Sequence, residues 1–156
     1  MTPAVKLAKK AKVAHKTHEY KHDSNAESYG LEAAEKMSVA AERIFKTLVV
    51  DVGDKKLVVA VVPVTAMLNL KAIAKAAKAK KAIMADKNDV MRSTGYVLGG
   101  VSPLGQKKRL LTVIDSSAQT HETIYVSAGR RGLEIELSPL DLKQLTNADF
   151  AAISNE

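Results

Sequence analysis

The sequence predicts an α/β fold: a mixed β-sheet with helices packed around it, in a single domain. Three observations predict it. The 156 residues are 46% apolar with no long polar tract, enough for one buried core. Segments with helical spacing and segments with period-two spacing alternate along the chain. Several strand-like runs are separated by hairpin turns, whereas a doubly wound parallel sheet would need a helix between neighbours.

Taken in order, Thr2 and Pro3 supply an N-cap and a favoured first residue for a basic amphipathic helix running to about Lys12. Residues 14–20 read as a strand, and a polar turn around Asp23-Ser24-Asn25 leads into a helix carrying Leu31, Ala34, Glu35 and Met37. Strands at 45–52 and 56–63 are joined by Gly53-Asp54-Lys55, which has hairpin chemistry. Leu70, Ile73, Ala74 and Ala77, with lysines between them, specify a lysine-faced helix from Asn69, and 82–85 read as a short buried strand. A short helix ends near Arg92, a glycine-rich segment spans 95–105, and apolar strands follow at 110–114, 123–127 and 133–137. Ser138-Pro139-Leu140-Asp141 opens the last helix with a cap, a proline at its first position and an acid near the dipole.

The formal charge of +7 points to a polyanionic partner. Lysines and arginines cluster at 6–12, 71–81, 107–109 and 130–131, while acids gather between Glu19 and Glu42. Aromatic residues for base stacking are few, so these clusters read as a phosphate-tracking surface, not a sequence reader, unless they are ordinary solvated helix faces. With no cysteine, the chain has no disulfide, thiolate ligand or cysteine nucleophile. The start lacks an apolar signal core and no run approaches a membrane span, from which a cytoplasmic protein is expected, with no membrane partner.

Lys46 is the most informative residue. It interrupts an apolar strand, and alternation puts its side chain on the face of Leu48, Val50 and Val52. A dry, unpaired ammonium costs several kcal/mol or loses its proton, so the fold must give it a carboxylate, a wet cleft or an anionic ligand. A phosphate fits, and so does a lysine snorkelling from the strand mouth. The segment 92–105 is dense in glycine but has neither the P-loop ending nor dinucleotide-binding spacing. Its backbone N–H groups could approach an oxyanion, with Pro103 stiffening the loop; a hairpin needing positive φ is the alternative. Ser127-Ala128-Gly129-Arg130-Arg131-Gly132 could likewise present small residues and cations to a nucleotide. His15, His18 and His22 would share a helix face as metal ligands, but on a strand His15 and His18 diverge. His121 has no serine elbow or spaced aspartate beside it.

Several ordered blocks now resemble one family: Thr2-Pro3-Ala4-Val5, His18-Glu19-Tyr20 with Asp23, Phe45-Lys46-Thr47-Leu48, Arg92-Ser93-Thr94-Gly95-Tyr96, the run from Gly99 to Lys108, and Tyr125-Val126-Ser127 followed by Gly132-Leu133-Glu134-Ile135-Glu136. Together, over nearly the whole chain, they are similar to the YbaK family, free-standing Cys-tRNA(Pro) deacylases related to the editing insertion domain of bacterial prolyl-tRNA synthetases. The resemblance implies a strongly curved, barrel-like sheet surrounded by helices, and cleavage of the ester joining a mischarged amino acid to tRNA. It implies that Lys46 holds the tRNA 3′ end and that Gly99, Gly100, Val101 and Ser102, followed by Pro103, line the pocket for the ester. Tyr20 matches a pocket residue, and Glu136 stands where relatives carry an acid. Thr47, Arg92, Thr94, Ser127, Gly129 and Arg131 complete the expected substrate-binding set. The synthetase insertion domain has a histidine near 127–129 that this chain lacks.

An aminoacyl ester is already activated, so fixing the terminal adenosine and polarising the carbonyl can supply large factors without a protein nucleophile, metal or cofactor. The resemblance suggests that the substrate cysteine's own thiol attacks its carbonyl. The alternatives are a broader deacylase using bound water, and a non-catalytic tRNA-binding module. A domain this small cannot reach both ends of a tRNA, so prolyl-tRNA synthetase is the expected partner.

Overall fold

The computed structural model describes residues 1–23 and 28–155, so the turn expected at 23–25 falls partly outside the described residues. Thr2 caps α1 (Pro3–Ala11): its hydroxyl accepts from the Val5 N–H and donates to the Ala128 carbonyl, tying the helix start to a distant strand. After β1 (His15–Glu19), Ser28 caps α2 (Tyr29–Met37), and a 3-10 turn at Ala41–Arg43 feeds β2 (Phe45–Asp51). β3 (Leu57–Pro63) follows through Gly53, Asp54 and Lys55, all three at positive φ, as the hairpin sequence requires.

Next come β4 (Met67–Leu68), α3 (Leu70–Ala76) capped by the Asn69 side chain, β5 (Ile83–Met84), and α4 (Lys87–Thr94) capped by Asp86. The glycine-rich segment then leads to β6 (Leu111–Asp115), and a second 3-10 turn to β7 (Ile124–Arg130), β8 (Leu133–Leu137), α5 (Pro139–Thr146), β9 (Asp149–Ala151) and β10 (Ser154–Asn155).

These strands form three sheets, ordered β1-β8-β7, β10-β4 and β5-β2-β3-β6-β9. The largest is mixed: β2 pairs antiparallel with β3 and β5, while β3–β6 and β6–β9 are parallel. The α/β class and mixed pairing are as the spacing predicts. The single barrel-like sheet is not found: among the described residues the only backbone pairing between the three- and five-stranded sheets is a parallel bridge between Ile44 and Tyr125, and nothing closes a barrel. Residues 82–85 also differ from expectation. Ile83 and Met84 are exposed because β5 is the edge strand beside β2, not a buried one.

β3 is buried on both faces. Val59 and Val61 pack with α1, Val90 of α4 and the three-stranded sheet, whereas Val58, Ala60 and Val62 pack with Ile73 and Ala74 of α3. Among the described residues no helix is long and apolar enough to cross a membrane.

Candidate active site

Residues of the two larger sheets, near the Ile44–Tyr125 bridge, line a cavity of about 430 Å³. Its walls are the start of β2 (Ile44 to Leu48), the polar face of β1-β8-β7 (Tyr20, Ser127, Glu134), the start of α2 (Tyr29, Gly30) and the glycine segment (Leu98, Gly99, Val101). That volume suits a nucleoside with a small ester, not a polymer.

Alternation along β2 explains how Lys46 comes to face it. Ile44 is covered by Ala33, Ala34 and Tyr125, while Leu48 and Val50 pack with the α3 cluster. Between those two covers, Lys46 is left half-buried at the cavity wall. Among the described residues it makes neither a hydrogen bond nor an ion pair, and burial pulls its pKa below the usual lysine range. Beside it, the Thr47 hydroxyl is buried without a hydrogen-bond partner among the described residues. A polar atom in that state costs about 1–3 kcal/mol unless a water or a ligand completes it.

Across the cavity lies a residue that the sequence reading missed. Glu134 is 7% exposed, no described partner bonds its carboxyl, and burial pushes its pKa up to about 8. Glu134 and Glu136 share one face of β8, but the register separates them: Glu134 sits opposite Ser127 at the cavity, and Glu136 opposite Tyr125 outside it. Glu136 accepts from the Thr123 hydroxyl at 2.6 Å and from Arg43 at 3.3 Å, and lies 2.9 Å from His18 Nε2. Burial raises its pKa, but the Thr123 and His18 contacts more than offset that and hold it below the usual carboxylate range. The pairing register was the only signal that distinguishes the two acids, and it is not written locally in the sequence.

Tyr20 lines the cavity with its hydroxyl held protonated, burial and then Glu134 raising its pKa to about 12. Arg131 bridges the walls: it donates to Glu32 at 3.2 Å and to the Asp23 carbonyl at 2.8 Å, and its guanidinium lies 4.0 Å from the Tyr29 ring centre. Ser127 faces the cavity while its hydroxyl also accepts from Gly129 N–H across the β7 bulge.

Of the residues expected from sequence, Tyr20, Lys46, Thr47, Gly99, Val101, Ser127 and Arg131 converge on this cavity. The others lie behind or outside it. Gly100 is buried in the wall with its N–H donated to the Val97 carbonyl at 3.0 Å, so that amide is already engaged. Ser102 is buried, its hydroxyl accepting from Leu104 N–H, and Pro103 is buried beside it. Thr94 donates to the Val90 carbonyl and accepts from Tyr96 N–H, so it braces the end of α4. Arg92 is exposed and paired with Asp89. Gly129, at φ +113°, lets the bulge pass Tyr96 and Thr2. Among the described residues no group of three His, Cys, Asp or Glu side chains is arranged to hold a metal; His18 goes to Glu136, and His15 Nδ1 lies 2.8 Å from the Val13 carbonyl.

Comparison with known proteins identifies the family. The family model described as an aminoacyl-tRNA editing domain matches residues 24–145. An Enterococcus faecalis protein, EbsC, described as a candidate Cys-tRNA(Pro)/Cys-tRNA(Cys) deacylase, is 42% identical over 99% of this chain and 94% of its own. The solved structure of the hypothetical protein APE2540 superposes with a TM-score of 0.87 at 25% identity, over 98% of this chain and 99% of that one. A crystal structure described as a candidate trans-editing enzyme for prolyl-tRNA synthetase gives a TM-score of 0.80 at 23% identity, over 91% of this chain and 87% of that one, which supports the fold. With the family model spanning most of its length and a relative this similar from end to end, the chain belongs to the aminoacyl-tRNA editing domain family.

Proposed function

We propose that the protein is a trans-editing deacylase that cleaves mischarged Cys-tRNA(Pro), acting as one domain in the cytoplasm. The observation that carries the reading is an ammonium without a carboxylate partner among the described residues, at the wall of a nucleoside-sized cavity, in a chain of the editing family. Lys46 neutralises the terminal phosphate, Tyr20 and Thr47 offer hydrogen bonds, and the backbone at Gly99 and Val101 approaches the ester. The substrate thiol attacks its own carbonyl carbon and the ester C–O bond breaks. The tRNA leaves with its 3′-oxygen protonated, and the cyclic thioester hydrolyses in water. Glu134 is suited to take the thiol proton, since a carboxyl titrating near 8 is matched to a thiol of about 8.5.

A domain of this length has a radius of gyration of about 15 Å and cannot span a tRNA from acceptor end to anticodon. Selection of tRNA(Pro) therefore falls to a partner, for which prolyl-tRNA synthetase is our candidate. The test is a deacylation assay across tRNA charged with cysteine, alanine, serine and proline. Rapid loss of cysteine alone supports the thiol route. Equal loss of alanine and serine replaces it with attack by bound water.

A further inference from the structure

The charge of this molecule is segregated in a way the cavity does not use. Between residues 55 and 85 there are seven lysines and no acid. Lys71 and Lys75 stand about 6 Å apart along α3, Lys78 follows in its closing turn, and all three are exposed. Among the described residues none of them makes an ion pair. The helix dipole accounts for Lys75 and Lys78 near the C-terminus, but not for Lys71: α2, α4 and α5 carry an acid in the first turn, where α3 carries this lysine.

The fold places α3 on the side of the five-stranded sheet to which Lys46 points. Leu48, one alternation along β2 from Lys46, both lines the cavity and packs against the α3 cluster. Lys46 opposes Val62, whose side chain lies on the α3 side of β3. The lysines of α1 belong to the other side, because Ala4, Val5 and Ala8 pack with Val59 and Val61 on the opposite face of β3. An RNA strand leaving Lys46 therefore meets α3 before it meets α1.

We propose that Lys71, Lys75 and Lys78 carry the phosphodiester backbone of the acceptor RNA away from the cavity, so that the RNA crosses the molecule on the α3 side of the five-stranded sheet. This rests on the deacylase reading for its ligand. The spacing is compatible with a polyanion that carries a charge every few ångström along its axis.

The experiment measures binding of uncharged tRNA(Pro) by fluorescence anisotropy across a salt series, with cleavage of the full Cys-tRNA(Pro) and of a cysteinyl-adenosine ester followed in parallel. The variant Lys71→Gln/Lys75→Gln/Lys78→Gln should weaken tRNA binding about tenfold or more near 0.1 M salt and reduce the log–log salt slope by about 2–3. It should leave cleavage of the small ester unchanged, and Lys6→Gln/Lys9→Gln/Lys10→Gln should keep the wild-type slope. Unchanged affinity and slope in the α3 variant, a loss confined to the α1 variant, or no tRNA binding by the wild type overturns the proposal. Wild-type protein that binds tRNA but cleaves neither substrate defeats the deacylase reading instead, while the slopes still decide which surface holds the RNA.

Discussion

A half-buried ammonium with no described counter-ion is a burden on the fold, and at Lys46 nothing in the packing repays it. Replacing it should therefore separate stability from function: Lys46→Met is expected to leave the urea midpoint unchanged or raise stability by up to about 1 kcal/mol, while deacylation falls by at least about 100-fold. A structural lysine would lose stability and activity together. Glu134 gives the second residue-level prediction. Its carboxyl is neutral in the fold up to about pH 8 but ionises near 4.5 in the unfolded chain, so the folded state binds the extra proton between those values. That contribution is fully present below about pH 4.5 and is lost as pH rises through 8, an effect of order a few kcal/mol. Urea denaturation at pH 5 and pH 9 should show the decline in the wild type and a flatter profile in Glu134→Gln. The same variant should lose any rise in deacylation rate with an apparent pKa near 8.

The cavity exists because the elements around it are held at fixed separations. At Gly100 an added Cβ would fall 2.7 Å from Arg130 Cα, a contact with backbone that has no flexible end to move. Gly100→Ala should cost about 1–3 kcal/mol by thermal melt and shift the β7–β8 turn, lowering activity without touching a reacting group. Arg131 supports the opposite wall. Burial raises the pKa of Glu32, but bonds from Asp23 N–H and Arg131 more than offset it and hold the carboxylate ionised. Arg131→Met should destabilise by about 3–5 kcal/mol, because a buried charge is left behind, and Arg131→Met with Glu32→Gln should recover much of that loss in the same melt. Elements of this kind were readable where local chemistry decides them: the caps at Thr2 and Ser138, the turn at 53–55, and the face of β2 shared by Lys46, Leu48 and Val50. What could not be read depends on pairings distant in sequence. The register that separates Glu134 from Glu136 and the edge position that exposes Ile83 and Met84 are properties of the assembled sheets. So is the short β9, which finds its place only beside β6.

At the scale of the whole molecule, a net charge of +7 and a small cavity divide the work of binding. In the proposed function the cavity takes a terminal nucleoside and its ester, and the α3 lysines hold the polyanion to which it is joined. Salt should accordingly weaken cleavage of full tRNA far more than cleavage of a small cysteinyl ester. In the proposed function Lys46, whose ammonium has no partner among the described residues, positions an aminoacyl-tRNA end for ester cleavage. Single-turnover deacylation of Cys-tRNA(Pro) by the wild type and by Lys46→Ala, with folding of both checked by circular dichroism, tests it most directly. Rapid cleavage by the wild type is expected, with a loss of at least about 100-fold in a variant that remains folded. Full turnover by that variant would contradict it.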